Sequence, residues 1–489
     1  MSNKPGPRRI VAVGGGIAGW MSAAVLVRAL AREYGEVRLI EGSAPAGVAR
    51  AVGTLPSFRK LCGLLEIDAR ELMQATNATF TLGAQFRDWG LTGEEYFHGF
   101  GPCGARLDGV SFHQCWLRLQ RLGQVPAFEE YSPVAALARA GRFALPASER
   151  QSPFYWYSYG YHLDARLLTD YLRRYALQRG LRLERGSVVD VEQDAGSGLI
   201  KSLRLDDGRA IEADLVIDCT AERSGPLWRA LGAQFEDWRR WMPCDRALSI
   251  HGAAPAQIPP YSCFTAAEQG WRWQIPLQDA VDSGYAYCPD FSTEAQLDAA
   301  LRIAFPGASL AQATALRFNC GRPDRFWSGN LLLLGACNAG PLESTGLHLL
   351  QSGITRLLAL FPNFSADFDR ASAQEYNRLT LAEHDAIRDF LALHFTATGR
   401  DDSPFWKYCR AAEMPASLRE RIELFRHSGR LGLAEDDCFG EEGWLAVLLG
   451  QHIVPDRLDP LAEGADPEHI RGACQMLSAR IRTGLQGMP

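Results

Sequence analysis

Apolar positions along this chain alternate between short unbroken runs and helical spacing, and that pattern sets the expected elements. Ile10–Val13 is a short apolar run that predicts a buried parallel strand. Trp20–Leu30, small and apolar with no breaker, predicts a helix, and Glu36–Ile40 a second strand ending at Glu41. Gly42–Pro56 is rich in glycine, alanine and proline and predicts a loop. Helices are expected at Phe58–Leu65, Asp68–Ala75 and Ser111–Leu122, a strand at Ala78–Trp89, and an aromatic loop at Tyr96–Pro102. His162–Arg179 has helical periodicity, while Leu183–Asp190 and Ile200–Leu205 predict a strand pair. Ala213–Thr220 is a buried strand ending in polar residues, of the kind that returns to a nucleotide-binding sheet. Trp228–Ala299, with many tryptophans and prolines, predicts a β-rich layer. Asn330–Leu334 is a further strand, followed by the glycine-rich Gly335–Gly346 and a long helix at Leu347–Leu360. From Ala373 onward the pattern is mainly helical.

Between the first strand and the first helix stands Gly14-Gly-Gly16-Ile17-Ala18-Gly19, a G-x-G-x-x-G loop in strand–helix context. There Gly14 allows a tight turn, Gly16 lets backbone approach a pyrophosphate, and Gly19 lets helix and strand pack closely. The helix N-terminus offers its N–H groups to the anion, and Glu41, at the end of the next strand, would bond a ribose hydroxyl. A dinucleotide is expected at this end of the chain.

The chain has 489 residues, 47% of them hydrophobic and 22% charged, and a net charge of −6. Its length suggests two or three domains of a globular protein, and its charge offers no basic field for nucleic acid or an anionic membrane. No apolar run reaches the roughly 18 residues needed to span a bilayer, and Met1–Arg9 does not read as a signal peptide. Twelve cysteines without a CxxC pair predict reduced, mostly buried thiols in a cytoplasmic protein, and no metal site is expected. Lysine occurs only at Lys4, Lys60, Lys201 and Lys407.

The most specific stretch is Gly270-Trp271-Arg272-Trp273-Gln274-Ile275-Pro276. Two tryptophans at i, i+2 share one face of a strand, and by themselves predict only core. The W-x-W-x-I-P pattern, however, resembles the signature of the flavin-dependent tryptophan halogenases. Gly16-Ile17-Ala18-Gly19-Trp20-Met21, Tyr161 to Asp164, Asp218-Cys219-Thr220 and Pro341 to Gly346 resemble further blocks of that family. Arg388 to Phe390, Asp401 to Trp406 and Phe439 through Trp444 to Gln451 extend the resemblance almost to the C-terminus, in the family's order. It implies an α/β fold: a Rossmann-like FAD-binding domain of the aromatic-hydroxylase type, a β-rich substrate layer and a helical C-terminal region. The expected bounds are 1–370, with the layer inserted at about 85–160 and 225–310, and 371–489 completing the substrate site.

The resemblance also implies a chemistry. A separate flavin reductase supplies reduced FAD, and oxygen and halide give a hypohalous acid that reaches a lysine beside the substrate. Carried over, Gly14, Gly16, Ile17, Ala18, Gly19, Glu41, Asp218, Thr345 and Gly346 would bind FAD. Ser344, Thr345 and Gly346 would line the halide side, where backbone amides make a plausible anion nest. Glu343 would be the carboxylate facing the substrate, although its spacing alone better suits a surface or N-cap acid ahead of the Leu347 helix. His98, Phe100 and Trp444 fall where the family sandwiches an indole ring.

The resemblance fails at its catalytic lysine. The F-K-x-G-x-x-F strand reads Phe80-Thr81-Leu82-Gly83-Ala84-Gln85-Phe86, so Thr81 stands at the lysine position, and Lys60 is expected to be structural. Threonine can neither form an N-halo adduct nor act as a charged donor. At period two, Thr81, Gly83 and Gln85 would share one strand face. The family's G-E-x-T-x-P strap reads Ala51-Val52-Gly53-Thr54-Leu55-Pro56, and the run from Gly335 to Pro341 is shorter than its counterpart. No tyrosine pair to grip an amino-acid end is evident around Leu424–Asp437. The leading expectation is therefore an FAD-dependent oxidoreductase that oxygenates or oxidises an aromatic, indole-like small molecule or indole side chain without the halogenase lysine. A halogenase working without the lysine, either releasing hypohalous acid unguided or holding it by Glu343 and Thr81, is the alternative, and a non-catalytic flavin-binding partner protein the second. Homodimerisation is left open.

Overall fold

The computed structural model describes residues 8–30, 35–42, 49–123, 125–306, 311, 313–335, 340–364, 370–434 and 437–488. The chain divides into two compact units, each built from three stretches of sequence. The first comprises 1–78, 163–239 and 314–385; the second comprises 79–162, 240–313 and 386–489.

The first unit is organised on a sheet in the order Trp327–Ser328, Leu331–Leu333, Leu215–Asp218, β1 (Arg8–Val13), β2 (Gly35–Glu41), Arg182–Arg185. All neighbours are parallel except the Trp327–Ser328 edge. Ile10, Val11, Ala12, Leu39, Leu215, Val216, Ile217 and Leu332 are fully buried, which is why these strands read as unbroken apolar runs. The helix α1 (Ile17–Ala29) follows β1 after three glycines and buries Trp20, Met21 and Ala23 to Leu26. The expected first strand, first helix and second strand are thus present, each extended by a few residues.

The expected strand pair at 183–190 and 200–205 is corrected. Arg182–Arg185 joins the parallel sheet beside β2, the chain turns at Gly186, and Val188–Gln193 pairs antiparallel with Ile200–Leu205. Two short strands of different sheets lie within one short stretch on either side of Gly186, and periodicity over so few residues does not separate them. The loop expected over 42–56 contains a three-residue strand, Ala51–Gly53. The helical reading of 162–179 also starts too early. Gly160–Asp164 is a strand, buried on both faces, and Asp164 caps the helix Ala165–Gln178 by accepting from the Arg166 and Leu167 N–H groups.

The second unit carries the β-rich layer. Its strands run in the order Arg246–Ala253, Ala280–Tyr287, Gly270–Pro276, Ser262–Ala267, Gly83–Arg87, Glu95–Gly99, and only Ser262–Ala267 with Gly83–Arg87 is parallel. Trp271, Trp273 and Ile275 are buried on one face of a central strand, while Gln274 is exposed. The Trp273 indole N–H donates to Asp282 (3.2 Å), itself fully buried and accepting from Ser249 (3.0 Å). Opposite the Trp273 ring stands Gly284, where a Cβ would lie 2.1 Å from the indole. The remaining C-terminal chain is helical, as expected, and ends in the helix Pro467–Gln486.

Two more expectations change here. Tyr96–Pro102 is not loop throughout: Glu95–Gly99 is a strand with Tyr96, Phe97 and His98 buried, in keeping with the preference of aromatic residues for sheets. The single strand expected over 78–89 is two. Thr79–Thr81 pairs with Gly160–Asp164, whereas Gly83–Arg87 pairs with Glu95–Gly99. At the break, the Leu82 N–H donates to the Pro260 carbonyl (2.7 Å) and the Leu82 carbonyl accepts from Phe100 (2.8 Å). Gly83 has φ +147°, and a Cβ there would sit 2.1 Å from the His98 carbonyl oxygen. The chain changes sheets at Leu82–Gly83, so Thr81 and Gln85 do not share a strand face.

Candidate active site

Within the first unit the glycine loop is built for a phosphate. Gly14 has φ +128°, and a Cβ there would press on the Cys219 backbone at 3.0 Å. A Cβ on Gly19 would come 1.8 Å from the Gly14 carbonyl oxygen, so only glycine permits this contact. Gly16 differs from both: a Cβ there meets no protein atom within 4 Å and points into open space. Gly16 is also the N-cap of α1, with no side-chain cap, which leaves the first-turn N–H groups directed out of the helix. A cavity of about 430 Å³ opens at this point, lined by Gly14, Gly15, Gly16, Ser187, Asp218 and Thr220 among others.

Asp218 closes the sheet-side wall of this cavity. Its Oδ1 accepts from the Thr220 N–H (2.9 Å) and hydroxyl (2.7 Å), while Oδ2 is buried with no hydrogen-bond partner. Burial pushes its pKa up to about 6 against the opposing pull of the Thr220 bonds. The next residues turn through Ala221 at φ +55°, a conformation that favours glycine. Glu41, at the end of β2, lies 3.5 Å from the Arg173 guanidinium. A nucleotide with a pyrophosphate suits these groups: open backbone at Gly16, orphan helix donors and a buried carboxylate oxygen lacking a donor.

A second, more apolar cavity of about 270 Å³ lies on the other side of the same loop. It is lined by Ile17, Ala18, Val52, Phe318, Leu347 and Leu350, and by Ser344 and Gly346. Such apolar walls are of the kind that would take a flat ring system. The strap at Ala51–Gly53 forms one wall and is tied to the Thr345–Ala359 helix. Ser57 Oγ lies 2.9 Å from His348 Nδ1, and the Ser57 carbonyl accepts from Gln351 (2.8 Å). His348 Nε2 in turn meets Glu383 (3.0 Å), which also accepts from Ser352 and Arg356. The sequence gives no signal for the Ser57 end of this chain of contacts, because Ser57 and His348 are 291 residues apart.

Before the Thr345–Ala359 helix the backbone is strained. Glu343 (φ +56°) and Ser344 (φ +55°) are consecutive non-glycine residues in the left-handed region. Each costs on the order of 1 kcal/mol or more, and such strain concentrates at functional turns. Glu343 and Thr345 are both buried, and Ser344 is the N-cap without a side-chain cap bond.

The second unit holds the other candidates. His98, on the Glu95–Gly99 strand, lies with its ring 6.2 Å from Phe100. Trp444, on the helix Glu441–Gly450, is fully buried. Phe390 touches both His98 (5.5 Å) and Trp444, and Phe439 touches His98 (5.7 Å) and Phe390; neither was singled out from the sequence as a site residue. Phe390 and Phe439 stack on each other at 3.8 Å, and Phe390 meets Trp444 edge-on at 5.1 Å. Behind Trp444, the Arg421 guanidinium covers the indole at 4.4 Å and pairs with buried Asp437 at 3.2 Å. Burial raises the Asp437 pKa above the ordinary carboxylate value, opposed by Arg421.

Thr81 is buried and tied to the sheet change: its hydroxyl donates to the Gly83 carbonyl (3.0 Å) and accepts from the Gly83 N–H (3.3 Å). No lysine replaces the missing one among the described residues. Lys60, Lys201 and Lys407 are exposed, and Lys201 pairs with Asp194.

A parallel-sheet dinucleotide fold with this glycine loop, in one chain with a W-x-W-x-I-P sheet, has the features of a flavoprotein of the halogenase kind. The tryptophan halogenase family model matches residues 9–467. The chain belongs to that family. Among its relatives, the tryptophan 6-halogenase SttH of Streptomyces toxytricini is 30% identical over 520 residues, covering 100% of this chain and 97% of that one. Among solved structures, Xcc4156, a flavin-dependent halogenase from Xanthomonas campestris, superposes with TM-score 0.93 at 36% identity, covering 99% and 97% of the two chains. BrvH, a flavin-dependent halogenase from Brevundimonas sp. BAL3, gives TM-score 0.93 at 33% identity, covering 99% and 98%.

Proposed function

We propose that this protein uses reduced FAD and oxygen to oxygenate an aromatic, indole-like substrate, and that it does so without a lysine-held halogen oxidant. The observation that carries this reading is Thr81. A hydroxyl engaged with Gly83 on both its donor and acceptor sides has no charged donor to offer, and the described lysines are at the surface. Gly14, Gly16, Ile17, Ala18, Gly19, Glu41, Asp218, Thr345 and Gly346 would hold the cofactor. Bound FAD, reduced by a separate flavin reductase, supplies the electrons that activate oxygen. The chain's own residues do the rest. Glu343 accepts a proton from, or polarises, the substrate. His98, Phe100 and Trp444 orient the substrate ring by stacking, and the buried surroundings exclude water.

The test is mass spectrometry of products from an indole panel with a flavin reductase, with and without bromide. A product heavier by one oxygen without bromide supports the reading, and a product that forms only with bromide overturns it. The latter outcome belongs to the second reading, lysine-independent halogenation. That reading is favoured by relatives named as halogenases and by the strained Glu343–Ser344 turn, which with Thr345 and Gly346 would receive the halide.

A further inference from the structure

In the first unit, one chain of contacts connects two walls of the apolar cavity. Ala51, Val52 and Gly53 belong to one wall, and Leu347 and Leu350 of the helix Thr345–Ala359 to the other. Just past the strap, Ser57 is bound to that same helix twice. Its hydroxyl lies 2.9 Å from His348 Nδ1, and its carbonyl accepts from the Gln351 side chain (2.8 Å). His348 follows Leu347, and Gln351 follows Leu350, so each residue gripping Ser57 is next to one that lines the cavity. The grip on Ser57 thereby ties the strap to the helix.

His348 is itself held. Its Nε2 lies 3.0 Å from Glu383 Oε1, and the other carboxylate oxygen accepts from Ser352 (2.6 Å) and Arg356 (2.9 Å). Burial opposes the charge on Glu383, but His348, Arg356 and Ser352 outweigh it and bring the pKa down to about 2. Glu383 is therefore an acceptor only, and the proton of a neutral His348 ring sits on Nε2. That leaves Nδ1 to accept from the Ser57 hydroxyl. The pair is largely removed from water, with side chains 13% and 15% exposed. A Ser–His–Glu series can also serve a nucleophile, which needs oxyanion donors. Here the N–H groups of Phe58, Arg59 and Lys60 are engaged by the carbonyls of Leu55, Pro56 and Ser57. Those three offer no oxyanion hole, so the series holds rather than attacks.

We propose that His348, fixed by Glu383, is a positioning residue for the flavin ring: through Ser57 it sets the gap between the Ala51–Gly53 strap and the Thr345–Ala359 helix. The part of FAD affinity that depends on the ring then passes through this tether, and the part that depends on the nucleotide does not. The inference rests on the reading that FAD is the cofactor and that its ring enters this cavity.

The experiment titrates the full-length protein with FAD and with ADP, which keeps the adenine, ribose and pyrophosphate but lacks the ring. Wild type is expected to bind FAD more tightly than ADP. Ser57→Ala removes only the hydroxyl and should weaken FAD at least about fivefold, the worth of one hydrogen bond. His348→Ala should weaken it at least about tenfold. ADP affinity should stay within about twofold of wild type in both, and Ser57→Thr, which keeps the hydroxyl, should restore FAD binding. Should His348→Ala fail to fold, Ser57→Ala decides alone. Unchanged FAD affinity in Ser57→Ala overturns the proposal. So does an equal loss of FAD and ADP affinity, which marks a purely structural role. In either case a wild type that prefers FAD to ADP leaves the flavin reading standing. A wild type that binds ADP as tightly as FAD overturns both the placement of the ring and the proposal.

Discussion

Replacing Gly16 should separate ligand binding from folding, and the three loop glycines make the contrast internal. At Gly16 a Cβ meets no protein atom within 4 Å, and the residue's φ of −84° and ψ of −175° are open to any amino acid. Gly16→Val should therefore change the unfolding free energy of the apoprotein by no more than about 1 kcal/mol. The same side chain would stand where a pyrophosphate must approach the backbone, so FAD affinity should fall at least about a hundredfold, roughly 2.7 kcal/mol. Gly19→Ala should do the opposite. Its Cβ would lie 1.8 Å from the Gly14 carbonyl oxygen, and relieving that overlap should cost about 3 kcal/mol or more before any ligand is added. Urea unfolding of the apoproteins and fluorescence titration with FAD read the two effects separately. Unchanged FAD affinity in Gly16→Val would mean that the loop is not the phosphate site. An apoprotein of Gly19→Ala as stable as wild type would refute the close helix–loop approach.

Other expectations follow from single contacts. Ala221 holds φ +55°, so Ala221→Gly should raise stability by about 1 kcal/mol by chemical denaturation. Gly284→Ala places a Cβ 2.1 Å from the buried Trp273 indole and should destabilise the protein by about 3 kcal/mol, read as a lowered midpoint with an unchanged denaturant slope. Asp218 binds its proton more tightly in the folded apoprotein, with a pKa of about 6, than the ordinary 3.8 of an unfolded chain. Between these values the folded state holds the extra proton, so stability should fall as pH rises from about 4 to 6, by up to about 3 kcal/mol from this group. Asp218→Asn should flatten that slope in urea titrations of the apoprotein.

How much of this was legible in the sequence depends on where each requirement lies. The glycine loop was readable because its constraints are local: a turn, an open backbone and a close crossing all fall within Gly14–Gly19. The W-x-W-x-I-P strand was readable as a buried face, since Trp271, Trp273 and Ile275 alternate with Arg272 and Gln274. The sheet change at Leu82–Gly83 was not, because it is decided by partners far along the chain. Pro260 holds the Leu82 N–H, and the His98 carbonyl forbids a side chain at Gly83. Phe390 and Phe439 escaped notice as site residues for a related reason. Each looks like an ordinary core aromatic, and only the fold stacks them at 3.8 Å beside His98. The left-handed pair Glu343–Ser344 carries no glycine to announce it, which makes strain at that turn invisible to any pattern of residue types.

Thr81 is where these levels meet, and its substitutions discriminate between a structural and a chemical role. The hydroxyl bridges both backbone polar groups of Gly83 at the point where the chain leaves one sheet for another. Thr81→Ser keeps the bridge and should stay within about 1 kcal/mol of wild type. Thr81→Val removes it while conserving shape, and each buried backbone group left unpaired costs on the order of 1–3 kcal/mol. Thr81→Lys loses the bridge as well and brings a cation into a site only 3% exposed, where the desolvation cost is several kcal/mol unless a carboxylate or substrate group meets it. Its unfolding midpoint should accordingly be lower than that of Thr81→Val. If Thr81→Val matches wild type in urea unfolding, the bridge is unimportant and the position is held by its chemistry alone. If Thr81→Lys instead keeps wild-type stability and gains a bromide-dependent product, the ammonium has found a partner, and this chain retains the geometry of a lysine-guided halogenase. A wild-type protein that already places bromine on one position of indole would refute the reasoning that residue 81 decides the chemistry.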